Sequence, residues 1–160
     1  MTDTQDTTQE TGDPSRARAF AKFIVETYGD SADLDEISET TYSETSFEYG
    51  NEEYRVLTDE EADEAVKSEI RELVWAFNPE FISGHTKHGL STDAQKSLKL
   101  AQEKLCEGAN DLVLNLIEDF DHFVDDAVST DGRGHFLSGY DGDENEVELD
   151  GTYYFIYRTN

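Results

Sequence analysis

EVELDGTYYFIY, residues 146–157, is the stretch whose reading decides the fold. Glu146 to Leu149 and Thr152 to Tyr157 read as two strands, and Asp150-Gly151 between them is a two-residue turn signal of the kind that closes an antiparallel hairpin. The YYFIY run, residues 153–157, is apolar on both faces, which predicts a strand inside a sheet and not at its edge. A second hairpin is expected earlier, where Phe47, Tyr49, Tyr54, Val56 and Leu57 flank Gly50-Asn51.

Between and before the hairpins the apolar spacing changes from period 2 to period 3.6. Asp13 as N-cap and Pro14 at the first helical position start a helix with Phe20, Phe23, Ile24 and Tyr28 on one face, ended by Gly29. Residues 30–44 are acidic and rich in Ser and Thr, and read as a loop with one helical turn. Thr58 with Glu61 has the form of a capping box, and Ala62, Val66, Ile70, Leu73, Val74 and Phe77 carry that helix to Asn78-Pro79. Phe81 and Ile82 allow one further turn; a helix over about 93–105 is broken by Gly108, and one over about 110–128 has the widest apolar stripe. His135 to Tyr140 reads as a short strand. The expected fold class is α+β, with three to four helices packed on a small antiparallel sheet formed by the early and the C-terminal hairpins. Residues 1–12 have no apolar side chain after Met1 and read as a disordered acidic tail, leaving 13–160 as a single domain.

Charge constrains function more than any motif does. The 160 residues carry 38 Asp and Glu against 12 Lys and Arg, a net charge of −26. Such a chain repels DNA, RNA and anionic membrane surfaces, so direct nucleic-acid or membrane binding is not expected. Three readings of the acidity stay open: adaptation to a cytoplasm of molar salt, where the Debye length falls to about 3 Å; mimicry of a phosphate backbone; and an acidic surface for a basic partner. Composition favours the first as the background condition, since the acidic residues are spread along the chain. The single cysteine, Cys106, excludes an intramolecular disulfide, and with no long apolar run or leader the expectation is a soluble, cytoplasmic protein.

The least ordinary stretch is DGRGHFLSGYDGDENE, residues 131–146. Gly132 and Gly134 would let backbone amides approach a ligand, Arg133 could grip a phosphate or carboxylate in bidentate fashion, and Asp131, His135, Tyr140 and Asp141 lie beside them. The structural alternative is that the glycines turn the chain and Arg133 pairs with surrounding carboxylates. Asp141, Asp143 and Asn145 match the first ligand positions of a calcium loop, but Glu146 stands where that loop needs glycine and Thr152 where it needs glutamate. His85 and His88 read as exposed loop histidines without zinc-protease spacing, and His122 reads as an imidazolium paired with a neighbouring carboxylate. No metal, cofactor or catalytic residue is therefore assigned.

WAFNPEFI (75–82), KLCEGAND (104–111), the 131–146 stretch and the terminal YYFIYRTN (153–160) together resemble small uncharacterised proteins of tailed phages, plasmids and other mobile elements. The resemblance covers about residues 53–160 and implies a genetic setting, without an activity; the halophile-like composition points to a virus or element of a halophile. Two functional readings follow. In the first, a non-enzymatic interaction protein, plausibly a counter-defence factor, presents carboxylates in rows to the nucleic-acid-binding surface of a basic protein partner. The candidate rows are Asp59, Glu60, Asp63 and Glu64 on one helix and Glu118, Asp119, Asp121, Asp125 and Asp126 on another. In the second, a small ligand-binding or hydrolytic module uses the Asp131 to His135 loop. The first is the expectation, with oligomeric state left open.

Overall fold

The computed structural model describes residues 13–160, and the tail expected over 1–12 lies outside the described residues. The chain forms two compact units: one holds the described residues up to Asp59 together with Asn145–Asn160, and the other is Glu60–Glu144.

In the first unit, helix α1 (Pro14–Tyr28) begins as its caps dictate. Asp13 accepts a hydrogen bond from the Ser15 amide, Pro14 stands at the first helical position, and Gly29 ends the helix with φ of 56°. Strands β1 (Ile37–Glu39), β2 (Ser46–Tyr49), β3 (Glu52–Thr58), β4 (Asn145–Leu149) and β5 (Thr152–Arg158) form one antiparallel sheet in the order β1-β2-β3-β5-β4. The two hairpins close where expected, with Gly50 at φ 61° and Asp150 and Gly151 at 53° and 83°. They are joined edge to edge by β3 and β5, which place Val56 opposite Ile156 and Leu57 opposite Phe155. Consequently β5 is an inner strand, and Tyr154 through Tyr157 are all buried. The fold class is α+β, with the early and late hairpins in one sheet.

Phe20, Phe23 and Ile24 of α1 pack on Phe47, Tyr54, Val56, Val147, Tyr154 and Ile156 to make the core of this unit. Arg16 joins them because its guanidinium Nη1 donates to the Val56 carbonyl at 2.7 Å, replacing the water it loses. One strand escaped the sequence reading: β1 is a three-residue edge strand, preceded by 3-10 turns at Gly29–Ser31 and Leu34–Glu36, in the segment expected to be a loop.

At the margin of this core, the Tyr28 and Tyr54 hydroxyls each donate to Oε2 of Glu52 at 2.6 Å, and Arg158 Nη1 meets its Oε1 at 2.9 Å. Burial alone would raise the Glu52 carboxyl, but the two phenol hydrogen bonds and the Arg158 charge outweigh it, so the net shift is downward from 4.5. Burial, and then the Glu52 carboxylate, push both phenols up from 10.0. A depressed carboxyl stabilises the fold above its unfolded value and loses that contribution as pH falls through its folded one; a raised phenol stabilises below its unfolded value and loses it as pH rises. Tyr54→Phe should therefore destabilise the protein at neutral pH, by a margin that shrinks below about pH 4.5 and above about pH 10. Thermal melts of both proteins across pH check this, and a margin independent of pH would contradict it.

The second unit is helical. It contains α2 (Asp59–Leu73) from Glu60 onward, α3 (Pro79–Gly84), α4 (Thr92–Leu105), α5 (Asn110–Leu116), α6 (Phe120–Asp131) and α7 (Arg133–Leu137). Ala62, Val66 and Ile70 form the buried stripe of α2. That helix stops at Leu73 and passes through a 3-10 turn at Val74–Ala76, short of the expected Asn78. Asn78 instead caps α3, its side chain accepting from the Glu80 amide. Ser91 caps α4 by accepting from Ala94, and α4 ends at Cys106, at φ 49°, two residues before the glycine expected to break it.

The single helix expected over 110–128 is two helices. Asp119 caps α6 by accepting from the His122 amide, and the Glu118 amide donates to the His85 carbonyl, so that amide finds its partner outside a helix. The strand expected over 135–140 is also corrected: Arg133–Leu137 is helical, entered through Gly132 with φ of 80° and ψ of 156°. Among the described residues, no helix is long and apolar enough to cross a membrane.

Candidate functional site

The 131–146 segment closes on itself. The Arg133 side chain is 11% exposed and binds Glu144 through two hydrogen bonds, Nε to Oε2 at 2.9 Å and Nη2 to Oε1 at 3.3 Å. Its Nη1 reaches Oδ1 of Asp63 on α2 at 2.9 Å. A guanidinium held by two carboxylates is already neutralised, and an incoming anion would have to displace one of them. Gly134 is buried, and a Cβ there would lie 2.3 Å from the Gly142 carbonyl oxygen and 2.7 Å from the Asp143 carbonyl carbon. Asp141 turns inward to its own loop, accepting from Ser138 Oγ at 2.6 Å and from the Asp143 amide at 3.0 Å. Asp131 and His135 do come together, on the wall of a mostly apolar cavity of about 390 Å³ whose other sides include Leu73, Phe77, Phe81 and Phe136. Tyr140 is exposed. Of the seven residues read together from sequence, Arg133 is thus in an ion-pair clamp and Asp131 and His135 are on a cavity wall.

The acidic rows meet in part, through Asp63 of the first and Asp121 and Asp125 of the second. Asp59, Glu60, Asp63 and Glu64 are exposed on α2, and Asp121 and Asp125 are exposed on α6. Asp63 and Lys67 from α2 and Asp121 and Asp125 from α6 line one groove of about 420 Å³, floored by Val66 and Val124. A shallower hollow between Glu60, Asp63, Glu64 and Lys67 continues it along α2. Lys67 spans the groove to Asp121 at 2.5 Å. The remaining members of the second row serve otherwise: Asp119 caps α6, Glu118 and Asp119 border a separate cavity, and Asp126 faces histidines.

Those histidines form a cluster that the sequence reading did not assemble. His85 is the C-cap of α3, and its side chain is only 8% exposed, where an exposed loop residue was expected. Its ring packs against Phe81 and Phe123, with centroids 4.7 and 5.0 Å away. Nδ1 lies 3.0 Å from the Phe81 carbonyl oxygen and Nε2 lies 3.0 Å from Oδ2 of Asp126. His122, one helical turn before Asp126 on α6, brings its Nε2 to 3.7 Å from the same oxygen. His88 and His135, by contrast, are exposed and outside the cluster. The i, i+4 pair His122 and Asp126 was visible as spacing, whereas His85 reaches them only because Asn78-Pro79 starts a helix that ends beside α6.

A cavity of about 740 Å³ opens next to His85 and His122, bordered by Lys67, Arg71, Glu118, Asp119 and Asp121. Its two cations are engaged: Lys67 pairs with Asp121, and the Arg71 guanidinium lies 4.4 Å over the Phe120 ring.

No protein-family model matches the chain, no curated protein matches it, and no solved structure matches it. The functional reading therefore rests on the geometry above and on the charge.

Proposed function

We propose that this chain is a non-enzymatic acidic interaction protein whose α2 and α6 carboxylates occupy the nucleic-acid-binding surface of a basic protein partner. The observation that carries the reading is the pair of acidic walls on one groove, with Asp63 on one side and Asp121 and Asp125 on the other. Duplex DNA offers a basic protein two rows of phosphates separated by a groove, at one charge per about 1.7 Å of axis. Two carboxylate rows held apart by packed helices offer the same kind of target without the flexibility of a disordered acidic tail. In the mobile-element setting that the sequence resemblance implies, blocking a host protein's DNA site is a counter-defence role.

The alternative, a ligand-binding module around Asp131 to His135, requires Arg133, whose side chain is largely buried, to release Glu144 or Asp63 before it can hold an anion. The net charge of −26 opposes the same anion at long range.

Competition measures the proposed role. A basic, sequence-nonspecific DNA-binding protein loaded with a fluorescent duplex should release it on addition of this chain. Glu60→Lys, Glu64→Lys and Asp125→Lys together should weaken that displacement by about tenfold or more, the equivalent of about 1.4 kcal/mol. Reversal of Glu103, Glu107 and Asp111, which are equally exposed and change the net charge by the same amount, should leave it within about twofold. Equal losses in both triple variants would show that only bulk charge matters and would remove the groove from the account.

A further inference from the structure

We propose that His85, His122 and Asp126 form a binding site for a divalent transition-metal ion of the zinc class. Both nitrogens of the His85 ring face acceptors: the Phe81 carbonyl at Nδ1 and the Asp126 carboxylate at Nε2, each at 3.0 Å. A carbonyl oxygen can only accept, so Nδ1 carries a proton and donates it. With the proton on Nδ1, Nε2 faces a carboxylate oxygen, a contact that is favourable when a cation, whether a second proton or a metal ion, stands between them. A ligating histidine is held in the same way, with its far N–H donated to a backbone carbonyl and its lone pair aimed at the metal.

The other two donors converge on that point. Nε2 of His122 approaches Oδ2 of Asp126 to 3.7 Å, and the three ligand atoms all lie within 4.8 Å of one another. A four-coordinate ion with bonds of about 2.0–2.2 Å sets its ligand atoms roughly 3.3–3.6 Å apart. The two separations given above, 3.0 and 3.7 Å, bracket that value, and the exposed His122 ring has the freedom to close the remaining edge. Two imidazoles and one carboxylate are a donor set that suits zinc and its neighbours better than calcium or magnesium, which prefer oxygen alone.

The backbone holds His85 for this task from several sides. The His85 amide donates to the end of α3, its carbonyl accepts from the Glu118 amide, and Thr86 bridges to Ile117. The site borders the cavity lined by Glu118 and Asp119, which leaves one coordination position open to water or to a partner's side chain. The negative field of the whole chain raises the local concentration of cations.

Calorimetric titration of the full chain with Zn²⁺, in about 1 M KCl to screen diffuse attraction to the acidic surface, tests the site. The expected result is one saturable equivalent, with Co²⁺ in its place giving the visible absorption of a low-symmetry four-coordinate ion. His122→Ala and Asp126→Asn should each weaken binding by at least about tenfold, while His88→Ala and His135→Ala leave it unchanged. His85→Ala removes a packed ring, so its circular dichroism is read first and the decision rests on the His122 and Asp126 variants. Absence of a saturable equivalent overturns the proposal and leaves a His85 to Asp126 ion pair. Binding indifferent to His122 and Asp126 overturns it equally.

Discussion

Gly134→Ala should destabilise the Glu60–Glu144 unit by at least about 2 kcal/mol, because the added methyl runs into the backbone of three consecutive residues, 142–144. A Cβ at this position would stand 2.3 Å from the Gly142 carbonyl oxygen, 2.7 Å from the Asp143 carbonyl carbon and 2.9 Å from the Glu144 amide nitrogen. None of these is the far end of a flexible side chain, so the 142–144 backbone has to shift. Arg133 and Glu144 flank this contact, and shifting the backbone also strains their paired hydrogen bonds. Urea unfolding of the variant checks the magnitude. A loss under about 0.5 kcal/mol would mean that the segment yields easily, and would return Gly134 to the role of a residue that lets a ligand approach.

Phe20→Ala should have the largest effect of any single change in the first unit, about 3–5 kcal/mol. The ring is fully buried, with its centroid 5.3 Å from both Phe47 and Tyr54 and 6.2 Å from Phe23. It is the place where α1, β2 and β3 share one contact. Since whole domains are stable by only about 5–15 kcal/mol, the loss should leave α1 and the β2-β3 hairpin marginal. Hydrogen exchange resolves this: amides of α1, β2 and β3 should lose protection first. A loss under about 1 kcal/mol, or uniform loss of protection throughout the chain, would contradict this account of the core.

What the sequence made legible was local. Gly50-Asn51 and Asp150-Gly151 can be read as hairpin turns because their signal is a left-handed backbone that few residue pairs tolerate, and Asp13-Pro14 can be read as a helix start because cap and first turn lie side by side. The break between α5 and α6 was hidden for a physical reason. Asp119 caps α6, yet it stands among Glu118, Asp121, Asp125 and Asp126, so a capping carboxylate looks like one more surface charge. The strand β1 was hidden because Ile37–Glu39 is short, polar and stabilised almost wholly by pairing with β2. The sequence offers Arg133 both as an anion-binding residue and as a partner of carboxylates, but which carboxylates it meets is a tertiary fact: Asp63 lies on α2, far away in sequence. The histidine cluster has the same character, since its three members come from two elements brought together by packing alone.

Across the groove, Asp63 faces Asp121 and Asp125, with Lys67 between the walls and Arg133 behind Asp63. Those two cations offset part of the repulsion without salt. A surface meant to attract a basic partner also has to work where electrostatic attraction reaches beyond contact, at a Debye length near 10 Å and not near 3 Å. The thermal melt followed by circular dichroism across KCl from about 0.1 to 3 M tests this most directly. The account predicts a cooperative transition already at the lowest salt, with modest stabilisation as KCl rises. A chain that folds only in molar KCl would have acidic walls that need screening to exist, and the reading of them as a phosphate-like target for a basic protein would fall.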